Sequence, residues 1–136
     1  MINELIELMK VQEQELKQLL LLLETQYKMI MDKDVFGLET LVDKLGQCSK
    51  KIAQTEVERR QITGSGSISE IVNMSDNDQL KEAYNNVQEA LNKTIMRKDT
   101  NDILLKQQLM FTTKMLNIMN PSREIKTYNS YGNLSR

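Results

Sequence analysis

From Asn77 to Met119 the chain contains neither Gly nor Pro, and its apolar residues recur at alternating three- and four-residue steps. Leu80, Tyr84, Val87 and Leu91 form a first run, and Leu105, Leu109, Leu116 and Met119 a second, which is the repeat of one face of a long helix. Thr94, Lys98, Asn101 and Asp102 interrupt the stripe between them. The spacing therefore predicts a helix with a patterned first half, a polar waist and an apolar last part that also carries Met110, Phe111 and Met115. Pro121 stops it, because the residue before a proline is driven out of helical geometry.

The earlier part of the chain reads as a scaffold for that helix. Leu5, Met9, Leu16, Leu19, Leu23 and Ile30 keep the same rhythm from Ile2 to Met31, broken at Gln12 and at Gln26 or Tyr27, and predict a first helix roughly 45 Å long. The five leucines 19–23 cover most of its circumference, so this segment is contacted from two sides or leaves an exposed patch. Asp32, Lys33 and Asp34 break the pattern, with Asp34 placed to cap a second helix. That helix has its seam at Leu38, Leu41, Leu45, Cys48, Ile52, Thr55, Arg59 and Ile62, and the short connection folds it back antiparallel on the first. Gly37 and Gly46 weaken it, each by about 1 kcal/mol relative to Ala. Gly64-Ser65-Gly66-Ser67 marks a loop, Ile68 to Met74 suffices for two helical turns capped by Ser67 or Ser69, and Asp76 and Asn77 are both good caps for the long helix. The expected fold is all-α: an elongated antiparallel hairpin, a short helix and one long third helix. Residues 1–120 form the bundle and 121–136 a flexible tail.

Composition narrows the function. There are 18 basic and 19 acidic residues and no run of Lys or Arg able to neutralise several phosphates, so nucleic acid is not an expected partner. Aromatic residues make up 4% and Trp is absent, so burial must come from Leu, Ile and Met along helix faces. The longest apolar run, Leu19 to Leu23, is too short for a signal sequence or a membrane span, and the expected setting is soluble and intracellular. No His is present, which removes the usual general base and the commonest metal ligand. Cys48 has no His to activate it and no second Cys to pair with, and its seam position marks it as a small core residue. The Gly-Ser loop lacks the Lys of a phosphate-binding loop, and Asp76-x-Asp78 lacks the Gly and distal Glu of a calcium loop. Neither catalysis, a cofactor nor a metal is expected.

What remains is an interaction protein whose long helix ends in Met, the side chain that adapts most readily to varied apolar partners. Leu22-x-Glu24, Asp34-x-x-x-Leu38-x-x-Leu41, Glu56-x-x-Arg59, Asn101-x-x-Leu104-Leu105 and Tyr128-x-x-x-Gly132 follow one another along nearly the whole chain. In this order they resemble the flagellar export chaperone family FlgN. That family tends to carry an Asn pair three residues apart before its double leucine; here Lys98 stands at the first position and Asn101 matches the second. The resemblance implies a cytoplasmic chaperone that keeps hook-filament junction proteins, the hook-associated proteins, soluble and monomeric before type III export. It places the cargo site in the C-terminal amphipathic region, which maps to Leu105, Leu109, Leu116 and Met119, with Tyr128 and Gly132 in the tail. Met110 and Met115 complete the candidate set. An export-gate or export-ATPase component is left open as a second partner.

Helix lengths bear on the same region. A third helix of about 43 residues spans roughly 65 Å against roughly 45 Å for each hairpin arm, so some two to four turns should overhang. The overhang is read as a binding surface. A structural homodimeric coiled-coil adaptor, with the same stripe buried against a second copy, is the alternative, and the expected state is monomer or homodimer.

Overall fold

The computed structural model describes residues 1–119. Of these, 92% are helical. The elements are α1 (Ile2–Asp32), α2 (Val35–Thr63), α3 (Ile68–Ser75) and α4 (Asp78–Met119). The expected tail, residues 121–136, lies outside the described residues. By its Cα packing the chain divides into two compact units, Met1–Asn101 and Asp102–Arg136.

Within the first unit, α1 ends where Lys33 turns left-handed (φ 57°). The Lys33 amide then donates to the Ile30 carbonyl at 3.1 Å and the Asp34 amide to that of Met29 at 2.9 Å, the paired bonds that close a helix when the following residue is left-handed. Asp34 serves both helices, since its Oδ1 also accepts the Gly37 amide at 2.9 Å and so caps α2. Gly37 is needed for this: a Cβ there would collide with the Asp34 carboxyl and crowd Met29 Sδ at 3.1 Å. What reads in sequence as a weak helical residue is thus the space into which the cap folds.

The hairpin is antiparallel, with Gln12 Nε2 donating to Glu56 Oε2 at 2.9 Å and Thr55 Oγ1 to Glu15 Oε2 at 3.1 Å. Leu41, Cys48 and Thr55 are the buried residues of α2, and Leu38, Leu45, Ile52, Arg59 and Ile62 are half-buried, so its seam has the expected register. Cys48 is 8% exposed, and its Sγ lies 3.8 Å from the Glu15 carbonyl oxygen. Burial, aided by the Glu15 carboxylate and opposed by Lys51, pushes its thiol pKa up. On α1, Leu5, Met9, Leu16, Leu23 and Ile30 are buried, whereas Leu19 is half-buried and Leu21 is exposed.

α3 follows the Gly-Ser loop with Ser67 at its cap position, although the Ser67 hydroxyl pairs with Ser69 rather than with a helix amide. Of the two cap candidates for α4, Asn77 performs the role, its Oδ1 accepting the Leu80 amide at 3.0 Å. Asp76 instead turns left-handed (φ 50°) to close α3. The main apolar cluster joins three elements: Leu5, Ile6 and Met9 of α1, Val72 of α3, and Leu80 and Ala83 of α4.

The structure divides the polar waist between seam and surface. Thr94 is 4% exposed and Asn101 fully buried, while Lys98 is exposed. Thr94 Oγ1 donates to the Leu16 carbonyl at 3.4 Å, and Asn101 Nδ2 donates to the Leu23 carbonyl at 2.8 Å and to Gln26 Oε1 at 2.9 Å. Both backbone contacts join residues 78 apart, so a step of seven along α4 matches a step of seven along α1. The two helices therefore run parallel in a heptad-like register. Thr94 and Asn101 form the seam itself, and the small residues Ala83 and Ala90 continue it toward the N-terminus. Small and polar side chains belong there because they let α4 approach closely enough to hydrogen-bond the α1 backbone.

Candidate functional site

Residues 102–119 contain most of the candidate set, and here the helix keeps its apolar repeat without burying it. Leu105 is half-buried. Every residue from Leu109 to Met119 is exposed, including Leu109 at 68%, Leu116 at 57% and Met119 at 72%. At about 100° per residue, Leu105, Leu109, Leu116 and Met119 fall within an arc of about 80°, so the structure does set them on one face. Thr112 fills the gap between Leu109 and Leu116 on that face.

Beside this stripe lies a second one that the seam reading missed. Leu104, Phe111, Met115 and Ile118 share an adjoining arc of about 60°, and the two stripes together cover about half of the helix circumference. Its signal was present as the i, i+7, i+11, i+14 spacing, but a search for a narrow seam passes over so wide an arc. Met115 belongs to this second stripe. Met110 falls on the other side of the helix, among Lys106, Thr113, Lys114 and Asn117. Tyr128 and Gly132 lie outside the described residues.

From Leu109 onward this face is made of exposed apolar side chains. It offers flexible Met and Leu side chains and one Phe, which suits the apolar face of a partner helix. Among the described residues no group of three or more His, Cys, Asp or Glu side chains is gathered to hold a metal ion, and no helix is long and apolar enough to cross a membrane.

The remaining motifs sit in the first unit and hold it together. Asp34 is the cap shared by α1 and α2, and Asn101 is the buried anchor of α4 on α1. Glu56 accepts hydrogen bonds from Arg59 and Arg60 on its own helix and from Gln12 across the hairpin. The Arg59 hydrogen bond is the main reason its carboxyl pKa is lowered; the bonds from Gln12 and Arg60 add to it, and burial opposes them. Four of the sequence signatures thus have a visible structural reason: a cap, a cross-hairpin clamp, a helix anchor, and at Leu22-x-Glu24 the stretch whose central carbonyl takes that anchor.

Comparison with known proteins agrees with those signatures. No curated protein and no solved structure matches the chain. The family profile described as FlgN protein, however, matches residues 1–136, the whole length, and the chain belongs to this family of flagellar export chaperones.

Proposed function

We propose that the exposed double stripe of α4 binds the C-terminal amphipathic helix of a hook-filament junction protein in the cytoplasm and keeps it soluble and monomeric until export. The observation that carries this reading is the run of exposed apolar side chains from Leu109 to Met119. A stretch so rich in Leu, Met, Phe and Ile, left uncovered at the end of a long helix, marks an interaction surface. The contact set is Leu105, Leu109, Met115, Leu116 and Met119, joined by Phe111 and Ile118; Met110 lies at its edge, and Tyr128 and Gly132 add to it from the tail.

Calorimetric titration of junction-protein C-terminal peptides into the wild type and Leu116→Asp tests this reading. Saturable binding to the wild type and loss of heat with Leu116→Asp are expected, since the charge would be buried in the contact. Equal binding by both would place the site elsewhere. A concentration-independent dimer indifferent to the peptides would favour the homodimeric adaptor.

A further inference from the structure

The first unit carries a separate apolar groove of about 450 Å³, formed where α2 and α4 flank α1. Met9, Gln12 and Leu16 of α1 are its floor and are buried, while Ile52, Tyr84, Val87 and Leu91, with Ile68 of α3, are half-buried walls. Ser49, Ala53 and Gln88 on the rim are exposed, so the groove opens along its length instead of enclosing a cavity. From Met9 to Leu16 it runs about two helical turns. At one end stand Arg59 and Arg60, both bonded to the single carboxylate of Glu56, which leaves that end one positive charge in excess. The Arg60 side chain is 73% exposed and contributes Nε to this contact, so its outer guanidinium edge faces solvent.

We propose that this groove is a second docking site, for a short amphipathic helix of another protein that carries an acidic residue beside its apolar face. The groove supplies the apolar contacts and Arg60 the ion pair. Charge disfavours two occupants that this chain could itself provide. The apolar end of α4 in a second copy carries Lys106 and Lys114 against Asp102, and residues 120–136 carry Arg123, Lys126 and Arg136 against Glu124. Either would bring like charge to the arginine end, which opposes docking. The site is independent of the cargo reading, because none of its residues lies on the 102–119 face.

The test uses the full chain labelled at Ile, Leu and Val methyl groups and a synthetic helical peptide of about 14 residues, with leucines at i, i+3 and i+7 and a glutamate at one end. The expected result is saturable shifts at Ile52, Ile68, Val87 and Leu91. Affinity should fall about tenfold or more when lysine replaces the peptide glutamate, and again with Arg60→Glu, while the lysine peptide should regain affinity for Arg60→Glu. Ala53→Trp, on the exposed rim, should block binding without unfolding the chain, and Leu116→Asp should leave it unchanged. Shifts confined to 103–119, equal affinity for the two peptides, or binding that survives Ala53→Trp would each overturn the proposal. So would movement of the same methyls on dilution of the protein alone, which would make a second copy the occupant.

Discussion

The two parts of α4 treat large apolar side chains in opposite ways. Up to Asn101 its buried positions are Leu80, Ala83, Ala90, Thr94 and Asn101, and four of these five are small or polar. Beyond it the helix carries Leu109, Phe111, Leu116, Ile118 and Met119, all exposed. If apolar residues on this helix served stability alone, the large ones would sit where they are buried. The first part is built for close approach to α1, and it gains hydrogen bonds to backbone carbonyls in exchange for apolar area. The second part leaves its large apolar side chains from Leu109 onward exposed.

Aspartate in each part should separate the two most sharply. Leu80→Asp, at a fully buried position of the main cluster, should cost more than about 4 kcal/mol and unfold the first unit, whereas Leu116→Asp should change stability by less than about 0.5 kcal/mol. Thermal unfolding followed by circular dichroism measures both, and equal losses would erase the distinction. Next in size is Asn101→Asp, which sets a carboxylate against the Leu23 carbonyl and Gln26 Oε1 and should cost about 3 kcal/mol. Asn101→Leu removes the polar group altogether and should cost less than Asn101→Asp in the same denaturant titration; the reverse order would mean that the seam tolerates charge.

Cys48→Ser should cost about 1 to 2 kcal/mol by placing a hydroxyl in an apolar site, and the native thiol should react slowly with a labelling reagent at neutral pH. Fast labelling would take α2 out of the register described. The smallest effect belongs to Glu56. Its folded pKa lies below the ordinary value, so its stabilising contribution is present above the unfolded pKa and is lost as pH falls through the folded one. Glu56→Gln should therefore cost about 1 kcal/mol near neutral pH and flatten the acid limb of a stability-against-pH curve. An unchanged acid limb would show that the clamp adds nothing to the first unit.

Much of the first unit could be read from sequence because its determinants are local. Asp34 and Asn77 cap within three residues, the seam of α1 repeats in Leu, Ile and Met, and that of α2 repeats chiefly in Leu and Ile, which apolar periodicity detects. The α4 seam escaped that reading because Ala83, Ala90, Thr94 and Asn101 carry little hydrophobic weight. Their burial comes from a partner helix 78 residues away, and the pattern of α4 alone does not reveal it. Leu105, Leu109, Leu116 and Met119 were legible as one stripe for the same reason that α1 was. The adjoining stripe of Leu104, Phe111, Met115 and Ile118 was not, since a face half a helix wide has no single seam.

The constant separation of 78 residues between α1 and its partners on α4 also bears on how the chain assembles. The hairpin of α1 and α2 closes through a two-residue turn, so its contacts form early at small entropic cost, while α4 must close a long loop before any contact rewards it. During synthesis at about 5 to 20 residues per second, the α4-facing side of α1 waits several seconds for its partner. Late docking of this kind assigns Thr94 and Asn101 to the low-φ class, in which substitution chiefly speeds unfolding and leaves the folding rate little changed. The lifetime of the folded first unit would then be set at the parallel helix pair, while the hairpin governs how fast it forms.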